Sequence, residues 1–135
     1  MPVMSELDHA ACELLLRRET FGRVVVITAH GAEIVPVNYG VAGGAIVVRT
    51  ATDGLLARHG HGAPLVFEID WVDHDRWQGW SVVARGRGEV VRLPETPEPG
   101  RWPRVRPWPD GERGSELWLT WTELSGRQVG RTAAR

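Results

Sequence analysis

Ile34 to Gly54 reads IVPVNYGVAGGAIVVRTATDG, and the reading of this stretch decides the fold. Ile34 to Tyr39 is short and apolar, with Pro36 inside it. Ala42-Gly43-Gly44 is a turn signal, because glycine accepts the positive φ angles that tight hairpin turns need. Ala45 to Thr50 is apolar and β-branched until Arg49 and Thr50 end it. The stretch therefore predicts strand, turn, strand and then a helix start after Asp53-Gly54. A cation and a hydroxyl at a strand end suit an anion. They equally suit a solvated charge and a helix cap, and on this segment alone the plainer role is preferred.

Working outward, Pro36 cannot donate a ladder hydrogen bond, so it marks an edge strand or a bulge. Val24-Val25-Val26-Ile27 reads as a strand buried on both faces. Upstream, Ser5-Glu6-Leu7-Asp8 has the form of a capping box. Leu7, Ala11, Leu14 and Leu15 share one helical face, which predicts a helix from about Glu6 to Arg18. Cys12 lies inside it as a small packing residue.

Downstream, Leu55 to Gly60 predicts a short helix and Ala63 to Asp70 a strand. Glu68 interrupts that strand; an acid there either points outward or has a partner, and outward is the commoner case. Asp73 to Gly79 is a polar connection. Trp80 to Val91 is the longest strand candidate, and Gly86 and Gly88 predict a bend or bulge within it. Residues 94–114, rich in Pro, Gly and Arg, read as a long loop. Glu116 to Leu124 alternates as a last strand, and residues 126–135 read as a tail. The total is about six strands with an N-terminal and a short internal helix. That pattern points to a mainly β, antiparallel barrel in a single domain over residues 1–135.

Composition excludes several functions. The net charge is −1, so nucleic acid is not an expected partner. All sixteen cations are arginine, which removes lysine Schiff-base chemistry and the P-loop lysine. One cysteine excludes an internal disulfide. No stretch has the length of a membrane span or the form of a signal peptide, so a cytoplasmic location is expected. His59-x-His61 lacks a clear third ligand, so no metal site is assigned. No acyl-transfer nucleophile is recognisable, and no catalytic side chain is assigned.

Four pieces in register resemble one family: Gly22-Arg23-Val24-Val25, Pro36-Val37-Asn38-Tyr39, Val47-Val48-Arg49-Thr50 and Gly79-Trp80-Ser81-Val82-Val83 with Gly86. They are similar to the pyridoxamine 5′-phosphate oxidase-like, FMN-binding split-barrel family, and most to its small bacterial members. Ser125-Gly126-Arg127 resembles the ending of that group. The resemblance implies a six-stranded antiparallel split β-barrel, a homodimer, and FMN in a cleft between subunits. It implies that Pro36, Val37 and Asn38 lie along the flavin ring. Arg49 and Thr50 would hold the phosphate, and Trp80 and Ser81 would reach the flavin from another side. Where relatives carry a clamp cation after the turn, this chain has Leu55 and Leu56; Arg58 follows as the substitute.

The function that follows is an FMN-dependent oxidoreductase reducing a small organic acceptor by hydride transfer through the flavin. The alternatives are a non-catalytic flavin, deazaflavin or haem carrier, and a degenerate dimer without cofactor.

Overall fold

A computed structural model describes residues 3–94 and 114–130. Among them are eight strands and two helices, in the order β1 (Val3–Leu7), α1 (His9–Arg18), β2 (Phe21–Thr28), β3 (Gly31–Asn38), β4 (Gly40–Ala42), β5 (Ala45–Thr50), α2 (Leu55–His59), β6 (Pro64–Asp73), β7 (Gln78–Arg92) and β8 (Ser115–Gly130). Every strand pairing is antiparallel. The sheet order is β3-β2-β6-β7-β8-β5-β4, with β1 added on β8.

The two ends of that order, β3 and β4, are separated in sequence by Tyr39 alone. A sheet whose two ends are adjacent in the chain has to curl until they meet, which makes a split barrel. Tyr39 is the corner. Its N–H donates to Thr20 O at 2.9 Å and its hydroxyl to Leu16 O at 2.6 Å. Its ring meets Phe67 edge-on, with centroids 4.8 Å apart. Burial, then the charge of Glu19, pushes the phenol pKa up, so the hydroxyl stays a donor.

The core lies on the concave face. Val24, Val26, Phe67, Ile69, Val82 and Leu117 are among its fully buried members, and α1 covers it with Leu15 and Leu16. The hairpin at Gly43 and Gly44 forms as expected, with Gly43 at φ +58°. Pro36 does lie on an edge strand, since β3 pairs with β2 alone. A bulge sits between Arg85 and Gly86. No helix among the described residues is long and apolar enough to cross a membrane.

Several expectations need correction. The described strands number eight, not six, because Gly40–Ala42 pairs with residues 45–47 as a separate short strand and Val3–Leu7 pairs with Gly126–Gly130. The same pairing turns the start of the expected tail into the end of β8. It also moves the helix start: Asp8, not Ser5, is the N-cap, and its Oδ1 accepts the Ala11 N–H at 2.8 Å. Ladder hydrogen bonds to β8 hold Ser5 extended, so the capping-box motif cannot close. Gly126 is required where α1 crosses this pair, since a Cβ there would lie 2.8 Å from Cys12 Sγ. Cys12 is fully buried, and burial, then Asp8, pushes its thiol pKa up, which fits a packing role.

β2 is buried on one face only. Val24 and Val26 face the core, while Ile27 is 61% exposed. The polar connection after β6 shrinks to residues 74–77, because both strands of that hairpin run further than their hydrophobicity suggests. Residues 95–113 and 131–135, including most of the expected long loop, lie outside the described residues.

Candidate functional site

Strand alternation distributes seven of the eight sequence-predicted site residues, and the eighth, Arg58, lies on α2. Arg49 and Thr50 are neighbours in sequence but face opposite sides of β5. Thr50 is buried and stands opposite Ser115, whose hydroxyl donates to Thr52 Oγ1 at 3.4 Å. Thr52 and Ser115 were not legible as site residues, because hydroxyls 63 positions apart leave no local pattern. Arg49 is half-buried on the other face, opposite Glu116. Glu116 is 2% exposed and accepts from Trp118 Nε1 at 3.2 Å. A carboxylate beside Arg49 lowers the positive potential that the arginine alone would offer an anion.

The two leucines at the expected clamp position belong to the core. Leu56 is buried, and Leu55 packs against the same cluster. Arg58, two residues on, is exposed on α2. Histidine 61 serves the backbone: its Nδ1 accepts the Val90 N–H at 3.0 Å.

On β3, Pro36 is exposed and opposite Arg23, Val37 is opposite Gly22, and Asn38 is opposite Phe21. Asn38 Nδ2 donates to Thr20 O at 3.4 Å, which leaves Oδ1 buried with no hydrogen-bond partner. A buried acceptor left unmet costs about 1–3 kcal/mol, so a donor from water, a ligand or a second chain would stabilise it.

Trp80 and Ser81 lie at the other end of the barrel. Both line a cleft of about 680 Å³ with Asp70, Val72, Trp77, Arg127 and others. That volume suits a small-molecule site. Their side chains diverge. Trp80 faces the core at 9% exposure, with the Arg18 guanidinium 6.0 Å from its ring centroid. Ser81 faces outward between Asp70 on β6 and Arg127 on β8.

Beside the cleft is a cluster that sequence reading did not assemble. Arg23 binds Glu68 Oε1 through Nε at 2.9 Å and Nη2 at 2.6 Å, and the same Nη2 reaches Asp70 Oδ1 at 2.8 Å. Glu68 thus points outward and also has a partner. Two carboxyls share one guanidinium. Burial, and then the neighbouring Asp70, raises the Glu68 pKa against the opposing pull of Arg23. Burial alone would lower the Arg23 pKa; its two carboxylates outweigh this and raise it.

The two groups of candidates are far apart in one chain. Thr50 is level with Ser115 on β8, and Ser81 is level with Arg127. At about 3.3 Å per residue, roughly 40 Å of strand separates those two positions.

Three comparisons bear on this arrangement. The family model described as pyridoxamine 5′-phosphate oxidase matches residues 8–128. The uncharacterized protein Rv0080 of Mycobacterium tuberculosis is 36% identical over 109 residues, covering 76% of this chain and 70% of its own. A FAD binding protein from Mycobacterium smegmatis is 27% identical, covers 93% of this chain and 98% of its own, and superposes with a TM-score of 0.69. A Corynebacterium glutamicum protein named for the same oxidase is 28% identical over 97% of this chain and 96% of its own, with a TM-score of 0.76.

Proposed function

Because the chain belongs to the pyridoxamine 5′-phosphate oxidase family, we propose that it is a flavin protein. In this reading a homodimer holds FMN between its subunits and reduces a small organic acceptor. The flavin supplies the hydride chemistry. The chain's own residues bind and orient it, and no acid–base pair is required of them.

One observation carries the reading: the roughly 40 Å of β8 between the Arg49–Thr50 end and the Trp80–Ser81 end. Measured along the strand, that is more than the length of one flavin, which suits a cofactor shared between two copies. A second copy, turned about a two-fold axis, brings the cleft of one subunit to the strand end of the other. The outward face of β2 and β3 supports this, because Ile27 and Ile34 are 61% and 65% exposed on it. Apolar side chains grouped on one sheet face suit a buried subunit contact. The unmet Asn38 Oδ1 fits the flavin as well, since the ring's pyrimidine edge offers an N–H. Arg49 and Arg58 would be the cations for the phosphate, while Thr50 and Ser115 stand buried on the opposite face of the β5–β8 pair.

A second reading has FAD in the same place. The M. smegmatis relative is named for FAD binding, and a dinucleotide makes contacts beyond the first phosphate, which suits a clamp with one cation fewer.

The test is the visible spectrum of the purified chain, with the released cofactor identified after denaturation. Flavin absorption with FMN released is expected; released FAD selects the second reading. A Soret band, or a protein that stays colourless with either flavin added, overturns both. Light scattering at micromolar concentration should give twice the 15.0 kDa chain mass. A monomer overturns the shared cleft.

A further inference from the structure

The cleft beside Ser81 extends past the residues assigned to the flavin. Its farther wall is made by Met4 on β1, Val72 on β6, Val129 on β8 and Trp77 from the β6–β7 turn. Met4, Val72 and Trp77 are 62%, 58% and 73% exposed, so three large apolar side chains stand in water around one concavity. Trp77 is also the one non-glycine residue with positive φ among the described residues, at +53°. A bulky side chain is an outlier there, and glycine would be easier to place. The turn thus keeps an indole over the cleft against its local preference.

Arg127 lies in the same cleft, exposed. Among the described residues its guanidinium makes no hydrogen bond or ion pair. Two of the nearby acids are otherwise engaged. Asp70 is held by Arg23 at 2.8 Å. Asp73 accepts from the backbone N–H groups of Asp75 and Arg76. Glu6, opposite Arg127 on β1, is exposed and forms no ion pair with it. An uncommitted guanidinium beside an apolar wall is complementary to an anion attached to an apolar body.

We propose that this part of the cleft binds the acceptor, and that the acceptor has an apolar body with one anionic head group. Arg127 takes the anion. Trp77, Met4, Val72 and Val129 cover the body. That the ligand is an electron acceptor rests on the flavin reading; that it binds here does not.

The test is calorimetric titration of the full chain, with flavin content read by absorbance on the same sample. The probes are naphthoate, decanoate and the uncharged naphthalene methanol. A carboxylate should bind, and the alcohol should bind about tenfold more weakly or less. The better carboxylate shows whether the body is a flat ring or a chain. Arg127→Gln should reduce carboxylate affinity to the level of the alcohol. Trp77→Ala should weaken both the bound carboxylate and the alcohol by a similar factor. Both side chains are exposed, so the variants should melt with the wild type, which separates lost binding from lost fold.

The proposal is overturned if neither carboxylate binds at millimolar concentration. It is also overturned if Arg127→Gln leaves affinity unchanged, or if FMN displaces the carboxylate competitively. A chain that takes up no flavin yet binds the carboxylate through Arg127 sinks the flavin reading and leaves this site standing.

Discussion

Arg23→Gln should destabilise the protein far more at neutral than at acid pH. The wild-type guanidinium makes three charge-assisted hydrogen bonds to Glu68 and Asp70, between 2.6 and 2.9 Å. Such bonds contribute about 1.5–3 kcal/mol each when well buried. Here the three side chains are 31%, 27% and 45% exposed, so solvent screening reduces that contribution. A total of about 2–3 kcal/mol at neutral pH follows, most of it from two carboxylates left facing each other without a cation.

The sign of the pH dependence comes from Glu68. Its folded pKa is raised, so its effect on stability is favourable below its unfolded value and is lost as pH rises through the folded value. Removing Arg23 removes the one interaction opposing that rise, which carries the window further toward neutrality. Below it Glu68 is neutral, and its share of the loss falls to about 1 kcal/mol of ordinary hydrogen bonding. Urea unfolding of wild type and variant at about pH 7.5 and pH 4.5 measures both differences, with unchanged m-values expected. Equal losses at the two pH values, or a larger loss at the acid one, would refute the shared-guanidinium account.

Three further outcomes are expected. Tyr39→Phe removes the donor to Leu16 O at the barrel corner and should cost about 1–2 kcal/mol, or a melting shift of several degrees; a neutral result would deny Tyr39 its corner role. Trp77→Gly should raise stability by about 1 kcal/mol by relieving the positive φ while losing carboxylate binding in the cleft; destabilisation would mean that the indole packs the hairpin instead. Arg49→Ala should lower FMN affinity by about 1.5 kcal/mol, the low end for a charged contact because Glu116 stands opposite, and leave riboflavin affinity unchanged. Equal loss for both flavins would place Arg49 in the fold and not at the phosphate.

Local rules were enough for the parts of this chain that local forces settle. Gly43 has no Cβ to oppose a positive φ, so the hairpin was readable from its turn. Pro36 lacks an N–H, which left its strand an edge or a bulge, and the edge is what formed. Leu55 to Gly60 carried a short helix and its stop in six residues. Four short motifs in order were sufficient to place the chain in its family, because each answers a backbone or packing need of the same barrel.

What remained hidden depends on residues far apart in sequence. Val3–Leu7 is a strand only because Gly126–Gly130 lies beside it, and that pairing overrode a well-formed capping motif at Ser5. Arg23, Glu68 and Asp70 meet across 45 and 47 positions, so their shared charge has no sequence signature. Alternation also separates what sequence places together: Arg49 from Thr50, and Trp80 from Ser81. Strand period and turn chemistry act within a few residues and can be read along the chain. Register between distant strands is set by which apolar faces the whole sheet can bury at once. That choice, made only on folding, decided which side chains share a cleft.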